Sequence, residues 1–256
     1  MSNENKTGLN IGICGLGTVG GGTLALLQDN ADELRLRLGA ELKVVRVATR
    51  TINPDKLRGI KNYSTDPFDV VNDDSVDVVV ESIGGIDPAL EVIRQALSNG
   101  KHVVTANKAL VAEHGNELFQ LADQNKVALA FESSVAGGIP IIKALREGLA
   151  ANKVNWVAGI LNGTTNYILT EMKENNLTFD TALKQAQDLG FAEADPTFDI
   201  EGVDAAHKIT ILASIAFGIP INFDAVHVEG ISNLSQKDIT YAEELGYKIK
   251  LLGIAI

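Results

Sequence analysis

Through the first half of the chain, short apolar runs alternate with longer stretches whose apolar residues recur at helical spacing. The runs predict strands over 9–14, 42–49, 76–82, 102–105 and 127–132. The stretches between them predict helices over 19–28, 88–98 and 106–124. Strands and helices in strict alternation imply a parallel sheet with helices on both faces. "DPAL" at 87–90 predicts Asp87 as an N-cap with Pro88 at the first helical position. "SNGK" at 98–101 predicts a helix end with a glycine stop.

The pattern changes after "VAGGIP", residues 135–140. Helices are predicted over 141–150, 164–173, 178–188 and 203–217, with strands only at 154–161 and 247–256. A domain boundary is therefore expected near Gly137 and Gly138, giving domains 1–136 and 137–256. The chain has neither internal repeats nor low-complexity segments.

The first predicted strand runs into Gly15-x-Gly17-x-x-Gly20, and a predicted helix follows. In that context the first glycine allows a tight turn, the second lets a pyrophosphate approach the backbone, and the third lets helix pack on strand. The helix N-terminus then faces the phosphates with its positive end. Gly15, Gly17, Thr18, Val19 and Gly20 are the expected cofactor contacts, and a Rossmann-type α/β domain is the expected fold. An ordinary glycine-rich turn is the alternative. The second strand ends in Arg50, where a NAD site usually carries an acid. A guanidinium there suits the 2′-phosphate of NADP; a solvated surface arginine is the other reading.

"TANK" puts Thr105, Asn107 and Lys108 at the C-terminal edge of a strand, where open α/β sheets bind ligands. A cation is disfavoured at a helix start, so Lys108 points to a ligand more than to solvent. In the second half, Gly190–Lys208 holds five carboxylates and ends in a lysine that opens an apolar helix. On a wheel of 3.6 residues per turn, Lys208 lies about 40° from Asp204, with Ile211 and Ile215 about 20° to either side. The pair thus prolongs an apolar stripe, unlike a surface ion pair. Burial would favour a neutral lysine and Asp204 a charged one, so the pair suits proton transfer near neutral pH. A buried structural pair is the alternative, and a magnesium or calcium site a third, although the acids do not follow an EF-hand spacing.

Composition narrows the partners. There are 22 basic and 33 acidic residues, a net charge of -11, which repels nucleic acid and anionic membrane. The single cysteine, Cys14, excludes an internal disulfide, suits a reducing cytoplasm, and reads as a small buried filler. The polar start, "MSNENKTG", lacks the layout of a signal peptide, and there is no apolar run long enough for a membrane span.

Taken in order, the glycine loop, "TANK", "GILNGTTNYIL" and "GFAEADPTFDIEGVDAAHK" make the chain resemble homoserine dehydrogenase along all but its polar tail. The resemblance implies an NAD(P)-dependent enzyme that interconverts L-homoserine and L-aspartate 4-semialdehyde, on the route to threonine, isoleucine and methionine. It implies an α+β catalytic and dimerisation domain after the Rossmann domain, and a homodimer. Lys208 would be the general acid/base; Glu193 and Asp204 would hold homoserine, with Asp199 in support and Thr164 lining the pocket. Lys108 would serve cofactor and substrate, Thr105 and Gly190 the cofactor. A monovalent cation, usually sodium in the family, would take the Glu132 side chain and the carbonyls of Val135, Gly137 and Ile139. The family's chains run on past the equivalent of Ile256, so a later cofactor-contacting segment and a regulatory ACT domain are expected to be missing. Two other readings are another two-domain Rossmann dehydrogenase and a nucleotide-binding module without turnover.

Overall fold

The computed structural model describes residues 8–256; residues 1–7, most of the stretch read above for a signal peptide, lie outside the described residues. The chain divides into two compact units, one ending at Gly137 and the other spanning Gly138–Ile256.

The first unit is built on six parallel strands: β1 (Gly8–Cys14), β2 (Glu41–Ala48), β3 (Tyr63–Ser64), β4 (Val78–Glu81), β5 (His102–Thr105) and β6 (Leu129–Ala130). Their order is β3-β2-β1-β4-β5-β6, the doubly wound arrangement whose ligand crevice opens where the order reverses, between β1 and β4. Helix α1 (Thr18–Asp29) follows β1, α2 (Ala31–Leu38) leads into β2, α3 (Ala89–Ser98) joins β4 to β5, and α4 (Lys108–Gln124) joins β5 to β6. Ile11, Ile13, Leu16, Leu24, Val47 and Leu57 form the core under the first crossover. β3 was not foreseen: two residues on a polar edge carry no alternation to read. Pro88, not Asp87, is the N-cap of α3, without a side-chain cap, and the helix starts at Ala89.

The second unit carries α5 (Gly163–Glu174), α6 (Phe179–Asp188), α7 (Val203–Phe217) and α8 (Gln236–Glu244), with a two-stranded antiparallel sheet of β7 (Val157–Gly159) and β8 (Gly253–Ala255). α7 ends where its pattern ended, at the left-handed Gly218. Ile168, Leu169 and Met172 of α5 pack on Ala182 and Ala186 of α6 and on Ile239 of α8. The helix predicted over 141–150 is a short α-turn, Ile141–Lys143, running into a π-turn, Ala144–Gly148. Most of its side chains are exposed, so packing does not hold it as a continuous helix. The strands predicted over 154–161 and 247–256 shorten to the three residues each that find a partner.

Candidate active site

In the first unit, β1 delivers the glycine loop to the β1/β4 crevice. Gly15 has φ +99°, and a Cβ there would lie 2.5 Å from the Ser82 carbonyl. Gly20 lies so close under the loop that a Cβ would meet the Gly15 carbonyl at 1.9 Å. Gly17, the N-cap of α1, faces open space, so a phosphate can approach its backbone. Thr18 and Val19 are exposed beside it, at the first turn of α1. Ser82 secures the loop from β4: its hydroxyl donates to the Gly15 carbonyl at 2.8 Å.

The loop opens on a cavity of about 400 Å³ lined by Gly15, Gly17, Arg50, Lys56 and Ile83, among others. Arg50 therefore borders this cavity, and β2 has no acid at its tip. Lys56 adds a second cation that the sequence did not point to, because it lies six residues beyond Arg50 on a separate short turn.

Beneath the crevice sits Glu81, fully buried at the end of β4. It accepts from the Thr105 hydroxyl at 2.6 Å and from the Ile83 and Gly84 amides at 2.7 and 3.4 Å. Thr105 is fully buried, so its side chain supports the crevice from behind. Asn107 caps α4 through the Leu110 amide and donates to the Gly85 carbonyl, and Lys108 is the first residue of that helix. Glu81 and Ser82 escaped sequence reading; an acid closing an otherwise apolar strand was the available signal. Cys14 is fully buried, and burial, with Glu81 and Asp66 nearby, pushes its thiol far above the usual range. That suits packing and not nucleophilic chemistry.

The segment expected to hold a cation begins with a 3-10 turn, Glu132–Ser134, continues through extended, buried Val135, and turns at Ala136 (φ +51°) towards Gly137. Ile139, in the second unit, is exposed, and its carbonyl accepts from the Ile141 amide at 2.8 Å. Glu132, Val135 and Gly137 thus belong to the first unit and Ile139 to the second.

The second unit gathers the acidic stretch around the start of α5. Asp204 is 4% exposed near the N-terminus of α7, and Lys208 reaches its Oδ2 at 2.6 Å. Lys208 Nζ also donates to the Leu161 carbonyl at 2.7 Å. Asn162, next in the chain, donates to Asp204 Oδ2 at 2.8 Å and to Asp199 Oδ1 at 2.7 Å. Asp199 sits on the short turn Thr197–Ile200, and that turn is braced by His207, whose ring meets those of Phe198 and Phe223 at tilts of 56° and 55°. Thr164 donates its hydroxyl to the Phe191 carbonyl at 2.7 Å, drawing the Gly190 loop onto α5. Gly190 itself turns with φ +75° after α6. Glu193 is exposed on the same loop, whose backbone carbonyls accept from Gln187.

The five acids thus separate. Asp199 and Asp204 join Lys208 in one network, buried at Asp204 and partly exposed at the other two, while Glu193 is exposed on the loop before it. Asp195 folds its own turn, accepting from the Thr197 amide and hydroxyl, which hold its carboxyl below the usual range. Glu201 packs against Gly230, where a Cβ would collide with it. Asn162 carries no signal of this in the sequence, because its carboxylate partners lie 37 and 42 positions away. Among the described residues no group of three or more histidine, cysteine or acidic side chains could hold a metal ion.

Two family models match the chain: "Homoserine dehydrogenase, NAD binding domain" over residues 15–132 and "Homoserine dehydrogenase" over 140–256. A homoserine dehydrogenase of Pseudomonas aeruginosa is 58% identical over 96% of this chain and 56% of its own. The crystal structure of a homoserine dehydrogenase from Thiobacillus denitrificans is 60% identical with a TM-score of 0.92, covering 96% of this chain and 57% of that one. A hyperthermophilic archaeal homoserine dehydrogenase in complex with NADPH is 31% identical with a TM-score of 0.76, over 89% of this chain and 75% of that one. The chain thus spans a little over half the length of the two bacterial relatives.

Proposed function

The chain belongs to the homoserine dehydrogenase family, and on that premise we propose that it interconverts L-homoserine and L-aspartate 4-semialdehyde with NADP as preferred cofactor. The observation that carries the reading is the Asp204–Lys208 pair, a buried carboxylate and a partly buried ammonium tied at 2.6 Å and anchored to the Leu161 carbonyl. A lysine so held has a fixed direction for its remaining N–H and a carboxylate to stabilise its charge. When bound, the nicotinamide accepts or supplies the hydride. Lys208 takes the hydroxyl proton of homoserine in oxidation and returns a proton to the aldehyde oxygen in reduction. Glu193 and Asp204 receive the substrate ammonium, Asp199 supports them, and Thr164 lines the pocket. Lys108 serves both cofactor and substrate, and Gly190 and the backbone at Thr105 serve the cofactor.

The preference for NADP is supported by Arg50 and Lys56, two cations bordering the cavity beside the glycine loop. A monovalent cation, sodium in this proposal, would be held by Glu132 and the carbonyls of Val135, Gly137 and Ile139, where it would stiffen the backbone. We also assign the protein to the biosynthesis of threonine, isoleucine and methionine, to the cytoplasm, and to a homodimer. The single buried cysteine supports the compartment. No helix among the described residues is long and apolar enough to cross a membrane. The apolar outer face of the β7–β8 sheet supports the dimer, with Trp156, Ile160, Ile254 and Ile256 all more than half exposed.

The test is Lys208→Ala, assayed for homoserine oxidation alongside an NADPH titration. Steeply reduced turnover with unchanged NADPH affinity supports the role of Lys208. Near-normal turnover refutes it.

A further inference from the structure

The residue that joins the acidic network to the rest of the fold is not in the acidic stretch. Asn162 is 4% exposed, and both ends of its amide are fully used. Its oxygen accepts from the Thr165 amide and from the Thr165 hydroxyl, each at 2.8 Å, which caps α5. Its nitrogen gives one hydrogen to Asp199 Oδ1 at 2.7 Å and the other to Asp204 Oδ2 at 2.8 Å. The cap fixes which end is nitrogen, because the Thr165 amide can only donate. Asp204 Oδ2 is the same oxygen that Lys208 reaches at 2.6 Å. The preceding carbonyl, Leu161, takes a second Lys208 hydrogen at 2.7 Å. One dipeptide, Leu161–Asn162, therefore grips the Asp204–Lys208 pair from both sides.

A helix cap needs only an acceptor. Aspartate, serine and threonine would serve α5 as well as asparagine does. The paired donors are the feature that the cap does not require. They sit between two carboxylates that would otherwise repel each other, and they hold the acceptor oxygen of Lys208 in place.

We propose that Asn162 is a positioning residue for the proton-transfer lysine, setting the direction of Lys208 through Asp204 and coupling it to Asp199. This rests on the reading that Lys208 exchanges the proton with homoserine.

Two substitutions separate the two ends of the amide. Asn162→Asp keeps the cap acceptor and replaces the donor with a third carboxylate. Thr165→Val removes a partner of the cap end and leaves the bridge. The charged groups on elements packed against α7 are Asp199 on the Thr197–Ile200 turn, exposed Arg146 and Glu147 on the π-turn, and exposed Asp224 on the Phe223–Ala225 turn. Only Asp199 is joined to the pair through Asn162. A new carboxylate there favours the charged ammonium, so the acidic limb of the pH–rate profile for oxidation should move to higher pH.

The experiment measures kcat, KM and the kcat pH profile for homoserine oxidation, with melting temperature and NADPH affinity, in the parent, Asn162→Asp, Asn162→Ser, Thr165→Val and Lys208→Ala proteins. The proposal expects Asn162→Asp to lower kcat by about 10- to 100-fold with that pH displacement, at unchanged NADPH affinity. It expects Asn162→Ser, whose hydroxyl caps but is too short to bridge, to lower kcat without the displacement, and Thr165→Val to keep kcat within about 3-fold. Should Asn162→Asp fail to fold, the kcat of Asn162→Ser against Thr165→Val decides. Parental kcat and profile in Asn162→Asp, or equal losses in Asn162→Ser and Thr165→Val, overturn it and leave only a helix cap. An inactive parent or an active Lys208→Ala protein overturns the functional reading instead, and this inference with it.

Discussion

Asp204 and Lys208 lie four residues apart on α7, a spacing that on an open surface contributes little. Here the side chains are 5% and 19% exposed, and each has a second partner supplied by Leu161–Asn162. A lysine so enclosed works only if it can give up its proton. Lys208→Arg should therefore fail to rescue activity, because a guanidinium stays charged. We expect turnover of both Lys208→Ala and Lys208→Arg to fall by about 10² to 10⁴, measured at saturating homoserine. Arg50→Ala should weaken NADPH by about 10-fold or more and NADH by much less, read by fluorescence titration. Equal losses would remove Arg50 from the 2′-phosphate site. The sequence disclosed the Asp204–Lys208 pair because helical spacing placed both on one stripe. It could not disclose Asn162, whose bond to Asp204 spans 42 positions, or Glu81, whose bond to Thr105 spans 24. Such links depend on how α5 meets α7 and how β4 meets β5, and no local pattern records that.

At the scale of elements, the strand–loop–helix at the start of the first unit was legible because Gly15 and Gly20 each answer a separate steric demand, while Gly17 leaves the loop open. Gly20→Ala tests the strictest of them. A methyl group would sit 1.9 Å from the Gly15 carbonyl, so α1 must move off β1. We expect a stability loss of about 1–3 kcal/mol by thermal melting, with a parallel loss of nucleotide affinity. Strand ends were less legible than strand centres. β4 was predicted to extend to Ser82 and stops at Glu81, where the buried carboxylate turns the chain by accepting the Ile83 and Gly84 amides. An ion pair at 2.9 Å joins Arg46 of β2 to Asp73. Hydrogen bonds from Ser75, then from Arg46, hold the Asp73 carboxyl at about 2, below its ordinary 3.8. Because the folded value is the lower one, the stabilisation is present above about pH 4 and is lost as the pH falls towards 2. Asp73→Asn should flatten that part of a stability–pH curve measured by urea unfolding. An unchanged slope would show that the pair contributes nothing.

For the molecule as a whole, alternation in the first half and helix density in the second foretold two units of different architecture. The division between Gly137 and Gly138 falls one residue from the expected place. The second unit was less legible than the first. Its sheet is two strands of three residues, and strand length there is set by pairing across the fold, not by the longer apolar runs that contain them. The exposed apolar face of that sheet predicts self-association. Light scattering after gel filtration should give twice the monomer mass, and Ile254→Lys should shift the protein towards monomer. The most direct test of the central claim is a spectrophotometric assay of homoserine oxidation with NADP and with NAD, each with sodium or potassium, on the parent protein and on Lys208→Ala. We predict homoserine-dependent reduction of the cofactor, faster with NADP at low concentration and lost in Lys208→Ala. NADP binding without turnover of homoserine in the parent protein would contradict it.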